Sequence, residues 1–131
     1  MTAFQGFAAF LVLTVVCLAL VVLTGMKHKR KPHYILVGCA VALLGITVYY
    51  AEKLGHDYDL STAGMITPIH LALAKFTVVA YLLPVISGFM TIRDARHKKV
   101  HFKIAMFILF MTGITFATGL MMVMASEPIV P

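Results

Sequence analysis

Six histidines are the main chemical resource of this 131-residue chain, which is otherwise 61% hydrophobic and only 12% charged. They are His28, His33, His56, His70, His97 and His101. A neutral imidazole offers a lone pair to a metal, and coordinating groups near a bilayer are expensive enough to mark function. His33 and His101 stand out because their surroundings match at a shift of 68 residues. His33-Tyr34 leads to Gly45-Ile46-Thr47, and His101-Phe102 leads to Gly113-Ile114-Thr115, each glycine falling 12 residues after its histidine. Two imidazoles related in this way suit bis-histidine ligation of one haem, whose iron takes a nitrogen on each face of a flat ring. The alternative is that both are interfacial anchors belonging to the basic clusters beside them.

The remaining candidates are less specific. His97 and His101 are four residues apart, a spacing that puts both on one helix face and can chelate a metal ion. His28 and His97 otherwise read as water-exposed members of basic loops, with His97, like His70, a second-rank iron ligand. Gly38, Ala40 and Ala105 are small enough to leave room for a porphyrin. Lys29, Arg30, Lys98, Lys99 and Lys103 could meet its propionates. His70 has no histidine counterpart in the first half, the position 68 residues earlier being Thr2. With Lys75, Glu52, Tyr49 and Tyr50 it could form a second site for a haem, a quinone or a metal. Equally, Lys75 could snorkel and pair with Glu52 while His70 is merely hydrogen-bonded. His56 beside Asp57 and Asp59 reads as a solvated loop. Met121, Met122 and Met124 could be a soft copper site, although methionine also packs well against lipid and core.

The elements that hold these residues are membrane helices. Met1–Met26, Tyr34–Ala51 and Ile104–Ser126 carry no charge, and Thr67–Ile92 carries only Lys75. About 20 apolar residues cross a bilayer, so the sequence predicts an all-α, integral membrane four-helix bundle. Its helices fall at about 4–25, 32–52, 67–92 and 95–125, in a single transmembrane domain. The connections are too short to hold a soluble catalytic domain, a phosphate-binding loop or a nucleic-acid module. Mean hydropathy of +0.96 agrees. The first segment has no basic residue ahead of it and no Ala-x-Ala site, so it reads as a retained helix rather than a signal peptide. Cys17 and Cys39 lie within helices and report nothing about a redox compartment. Pro32 and Pro68 read as first-turn prolines, Asp94 as the N-cap of the fourth helix, and Pro84 as a kink in the third.

The net charge of +6 is topology. Nine of the eleven basic residues fall in connections one and three, while connection two carries Glu52, Asp57 and Asp59. By the positive-inside rule the basic connections are cytoplasmic and both termini lie outside, as in a bacterial inner membrane, with some attraction to anionic lipid. The 68-residue match makes helices one and two one repeat and helices three and four another, a parallel duplication about an axis along the membrane normal. A composition-driven coincidence is the competing explanation.

Histidines at helix ends, a small-residue lining, and the stretches Pro68-Ile69-His70-Leu71-Ala72 and His101-Phe102-Lys103-Ile104-Ala105 together resemble small bacterial relatives of the cytochrome b561 superfamily. That resemblance implies haem b held by histidines of alternate helices and electron transfer within or across the membrane, with a quinone or a redox protein as partner. It also implies a histidine pair near each face. The chain supplies His33 with His101, but helix one has no histidine to join His70. The helices also look similar to small four-helix proteins that assist haem–copper oxidase assembly, which would make the chain a haem-handling factor without redox turnover of its own. A homo-oligomer is compatible with either reading. The topology is open to direct test. Ser61→Cys should label from the outer face of intact cells and Lys29→Cys should not; labelling of Lys29→Cys would reverse the orientation.

Overall fold

The computed structural model of the protein describes residues 1–130. It is all-α, and four stretches are long and apolar enough to cross a membrane: Ala3–Met26, Arg30–Gly55, Ile66–Arg93 and Ala95–Ala125. The chain divides into two compact units, Met1–Tyr58 and the part from Asp59 onward. Each is an antiparallel helical hairpin.

In unit 1, α1 (Ala3–Met26) packs along α2 (Arg30–Gly55). A capping box starts α1: Thr2 Oγ1 accepts from the Gln5 amide at 3.2 Å and Gln5 Oε1 accepts from the Thr2 amide at 3.1 Å. The turn to α2 is only Lys27-His28-Lys29, and His28 takes the left-handed conformation (φ 57°) that so tight a reversal demands. This gives His28 a role in the turn itself. The seam is built from small and hydroxylated residues, with Thr14, Cys17, Ala40, Thr47 and Leu54 buried. Ala40 is thus part of the buried hairpin seam. At the far end the Tyr50 ring lies against Gly6, where no side chain would fit, and stacks on Phe10 with centroids 5.5 Å apart.

Unit 2 begins with a 3-10 turn over Leu60–Ala63, capped by Asp59, and Gly64 reverses the chain at φ 68°. The third span is not one helix over 67–92 but two, α3 (Ile66–Ala80) and α4 (Leu82–Arg93), meeting at Tyr81. Pro84 explains the position of the break, since it has no amide to give the Ala80 carbonyl and its ring crowds that carbonyl. After Arg93 the Asp94 side chain accepts from the Arg96 amide and caps a 3-10 turn, Ala95–His97, that feeds α5 (Lys98–Ala125). Asp94 thus caps that turn, and α5 proper starts later than the sequence reading had it. The Arg96 guanidinium, 2.8 Å away, holds the Asp94 carboxyl below the usual carboxylate range. This contact supports the turn at neutral pH and is lost as the pH falls through that lowered value. Thr77, Ala80, Ser87, Ile108 and Met122 are buried along the seam.

Internal comparison of the hairpins supports the duplication and refines its register. The second helices match at 68, Ala40 with Ile108 and Leu54 with Met122 being buried in both, but the first helices match at 63. At that offset Thr14-Val15-Val16 aligns with Thr77-Val78-Val79, Cys17 with Ala80, and Thr24-Gly25 with Ser87-Gly88. The geometry agrees. Thr14 and Thr47 hydroxyls meet at 2.9 Å in unit 1, and Thr77 and Thr115 meet at 2.9 Å in unit 2. The counterpart of His70 is therefore Phe7, not Thr2. Interhelical hydroxyl pairs in membranes couple by about 0.6 kcal/mol. A Thr77→Val, Thr115→Val double-mutant cycle in detergent unfolding should show coupling of about that size, and zero coupling would mean that the rung is only shape-filling.

Candidate histidine cradles

Three of the six histidines are held in the same way, each by a hydroxyl residue and the glycine that follows it on the facing helix. In unit 1 the half-buried His33 on α2 meets Thr24-Gly25 on α1. Its Nδ1 lies 2.9 Å from the Val21 carbonyl and 3.4 Å from Thr24 Oγ1. A carbonyl only accepts, so Nδ1 carries a proton in this contact. A methyl group on Gly25 would stand 3.1 Å from His33 Cε1, so the glycine is what lets the ring lie against α1.

Unit 2 repeats this at the matched positions. His101 on α5 meets Ser87-Gly88 on α4, with Nδ1 2.9 Å from Ser87 Oγ and the ring over Gly88. Ser87 Oγ in turn donates to the Pro84 carbonyl at 3.2 Å. Pro84 is the counterpart of Val21, so the two histidines address the same carbonyl, directly in unit 1 and through the serine in unit 2.

The third cradle lies towards the other end of unit 2 and reverses the roles of the helices. His70 is on α3 and its Nδ1 is 3.1 Å from Thr118 Oγ1 on α5. The Thr118 hydroxyl donates to the Ile114 and Thr115 carbonyls at 3.0 Å. A methyl on Gly119 would be 2.8 Å from His70 Cε1. Between the two histidines of this unit the seam carries Thr77 with Thr115 and Tyr81 with Thr112, the latter pair at 2.7 Å.

The other sequence candidates take separate places. Lys75 is exposed on α3 and Glu52 is exposed near the end of α2, in different units. Tyr49 lies under Lys53, whose Nζ is 5.5 Å from the ring centroid, and Tyr50 is engaged by Phe10. Both tyrosines are thus used within unit 1. Lys103 is exposed near the start of α5. His97 points its Nδ1 back at the Asp94 carbonyl of its own turn, whereas His101 reaches across to α4. His56 caps α2 and is exposed. Met122 is buried while Met121 and Met124 are exposed, so the three sulfurs do not converge. Gly38, Gly45 and Gly113 have open space at their Cβ positions, so the glycines that revealed the 68-residue match make no close approach. Among the described residues no group of three or more His, Cys, Asp or Glu side chains gathers around one point.

Thr24, Gly25, Ser87, Gly88, Thr118 and Gly119 escaped the sequence reading. For the first four the signal is the hydroxyl-glycine dipeptide recurring 63 residues apart; Thr118-Gly119 lies outside that repeat. No protein-family model, no curated protein and no solved structure matches the chain. The cradle makes its own prediction. Gly119→Ala should push the His70 ring off Thr118, read as loss of the nuclear Overhauser contact between that ring and the Thr118 methyl. Survival of the contact would show that the glycine is not what admits the ring.

Proposed function

We propose that the protein binds haem b and carries electrons within or across the membrane, with His33 and His101 as iron ligands, one from each repeat. The supporting observation is the pair of equivalent cradles. In each, a histidine beside a basic connection rests its Nδ1 on a partner of the preceding helix, as metal-ligating histidines rest their second ring nitrogen on an outer partner. The donor set fits the group: haem iron in a low-spin cytochrome takes two neutral imidazoles. When bound, such a haem supplies reversible one-electron transfer. The chain's own contribution is to orient the imidazoles against the facing helix, and to offer Lys29, Arg30, Lys98, Lys99 and Lys103 as cations for the propionates. The basic connections face the cytoplasm of a bacterial inner membrane, and electrons exchange with a quinone or a redox protein. Lys75, Glu52 and His70 are the polar groups available for that exchange at the outer side. A homo-oligomer is compatible with this role.

The test is an absorption spectrum of the purified protein, oxidised and reduced. Sharp reduced bands of low-spin haem are expected, and His33→Ala and His101→Ala should each abolish them while His28→Ala and His56→Ala leave them intact. A colourless protein after haem reconstitution, or unchanged spectra in both ligand variants, would overturn the reading. Haem that binds but is not reversibly reduced would favour a haem-handling role instead.

A further inference from the structure

We infer that the seam of unit 2 is a proton relay, running from His70, at the end opposite the basic connection, to Tyr81 and Thr112 at the middle of the span, and closed there by Ile108. Three hydrogen-bonded rungs follow one another along it. His70 Nδ1 lies 3.1 Å from Thr118 Oγ1, the Thr77 and Thr115 hydroxyls meet at 2.9 Å, and the Tyr81 and Thr112 hydroxyls meet at 2.7 Å. Imidazole and hydroxyl groups both accept and donate, so a proton passes in either direction whichever partner donates at rest. At each step a group binds the incoming proton on a lone pair and releases the one it held. One bond to hydrogen forms as another breaks, and nothing is oxidised or reduced. Thr112, Thr115 and Thr118 follow at intervals of three residues, about 4.5 Å of rise per step, a gap that one bridging water closes. The Thr118 hydroxyl also reaches the Thr115 carbonyl at 3.0 Å, which ties the first rung to the second. Thr112 stands about 20 Å along α5 from Ala125 and about as far from Lys98, so the relay ends at mid-span.

What closes the relay is the next seam residue towards the basic connection. Ile108 is 1% exposed, and its side chain has neither a lone pair nor a proton to pass on. The pair of Ser87 with His101 lies beyond it. Unit 1 serves as the control. Its counterparts of His70, Tyr81 and Thr112 are Phe7, Leu18 and Leu44, so of the three rungs only Thr14 with Thr47 is present. That hairpin forms all the same, so packing does not call for the extra polar groups, and a histidine at the head of a polar chain inside a membrane is a costly feature that marks proton paths. Lys75, the other titratable side chain of α3, is exposed and takes no part in the rungs. A quinone takes up protons with its electrons, so the relay serves the exchange proposed above; its use rests on that reading, while its test does not.

The test is proton flux into proteoliposomes of the purified protein, read by a trapped pH-sensitive dye under a potassium diffusion potential. The wild type should hold the gradient like protein-free vesicles. Ile108→Ser should dissipate it, because a hydroxyl at 108 joins Thr112 to Ser87, and adding Tyr81→Leu and Thr112→Leu, the residues of unit 1, should restore the wild-type level. Ala40→Ser, the matched change in unit 1, should leave the vesicles closed, because Leu18 and Leu44 still interrupt that seam. Ile108→Ala, which copies the buried Ala40, is the second opening variant and is read in the same way if Ile108→Ser loses its helical circular dichroism. The inference is overturned if the folded opening variant conducts no better than the wild type. It is overturned equally if the flux survives Tyr81→Leu with Thr112→Leu, if Ala40→Ser conducts as well, or if the wild type already conducts as fast as the opened variant. Failure of the protein to take up haem would overturn the proposed function alone, because the fluxes are read without it.

Discussion

A hydrocarbon surrounding offers no water to a polar side chain, so every hydroxyl in these helices has to be satisfied by protein. The sequence solves this locally. Thr14, Thr47, Thr112 and Thr118 each donate to the carbonyl four residues back, on Phe10, Leu43, Ile108 and Ile114. Among the described residues no buried side-chain nitrogen or oxygen lacks a partner. A hydroxyl that keeps a carbonyl of its own helix in reach can accept from the neighbouring helix or turn its proton towards it. In the Thr14–Thr47 and Thr77–Thr115 pairs one hydroxyl accepts what the other donates, so the same side chains serve their own helix and the facing one, and a histidine facing such a hydroxyl finds a partner in either role. The hairpin packing and the chemistry of the histidines follow from one shortage of donors and acceptors.

Comparison of the two hairpins shows where they differ. Counterparts of Phe7, Leu18, Val21, Leu44 and Tyr50 in unit 1 are His70, Tyr81, Pro84, Thr112 and Thr118 in unit 2. Two rungs, the threonine pair and the hydroxyl with its histidine, are common to both. The other two are polar only in unit 2, so its seam carries hydrogen-bonding side chains along its length while that of unit 1 is interrupted by leucines. Polar groups at this depth are costly, and a duplicate that remains apolar at the same positions shows that hairpin formation does not require them.

The spans, the basic ends and the match of His33 with His101 were legible because hydrophobicity, charge and a gapless second-helix alignment are first-order signals. The register of the first helices was not, for a simple reason. The connection ahead of His101 is five residues longer than that ahead of His33, His101 lying 13 residues after Gly88 and His33 eight after Gly25. A single shift cannot align both helices, and forcing 68 onto the first placed Thr2 opposite His70. Threonine, serine and glycine are also common in membrane helices, so Thr24-Gly25 and Ser87-Gly88 looked like filler until the histidine rings were seen lying on them. Gly45 and Gly113 aligned well yet face open space, a reminder that matching residues need not share a job.

The break at Tyr81 gives unit 2 a compliance that unit 1 lacks. The helix carrying Ser87 and Gly88 follows the helix carrying His70 across Tyr81, which keeps helical dihedrals (φ −60°, ψ −17°), and Pro84 removes the backbone bond that would close the joint. A tilt of α4 can therefore alter the grip on His101 while leaving the grip on His70 undisturbed. In α1 the residues that hold His33 sit on one unbroken rod of 24 residues, with no such give. Of the two matched imidazoles, one is held by an uninterrupted helix and the other by a helix that begins just after a proline-opened joint.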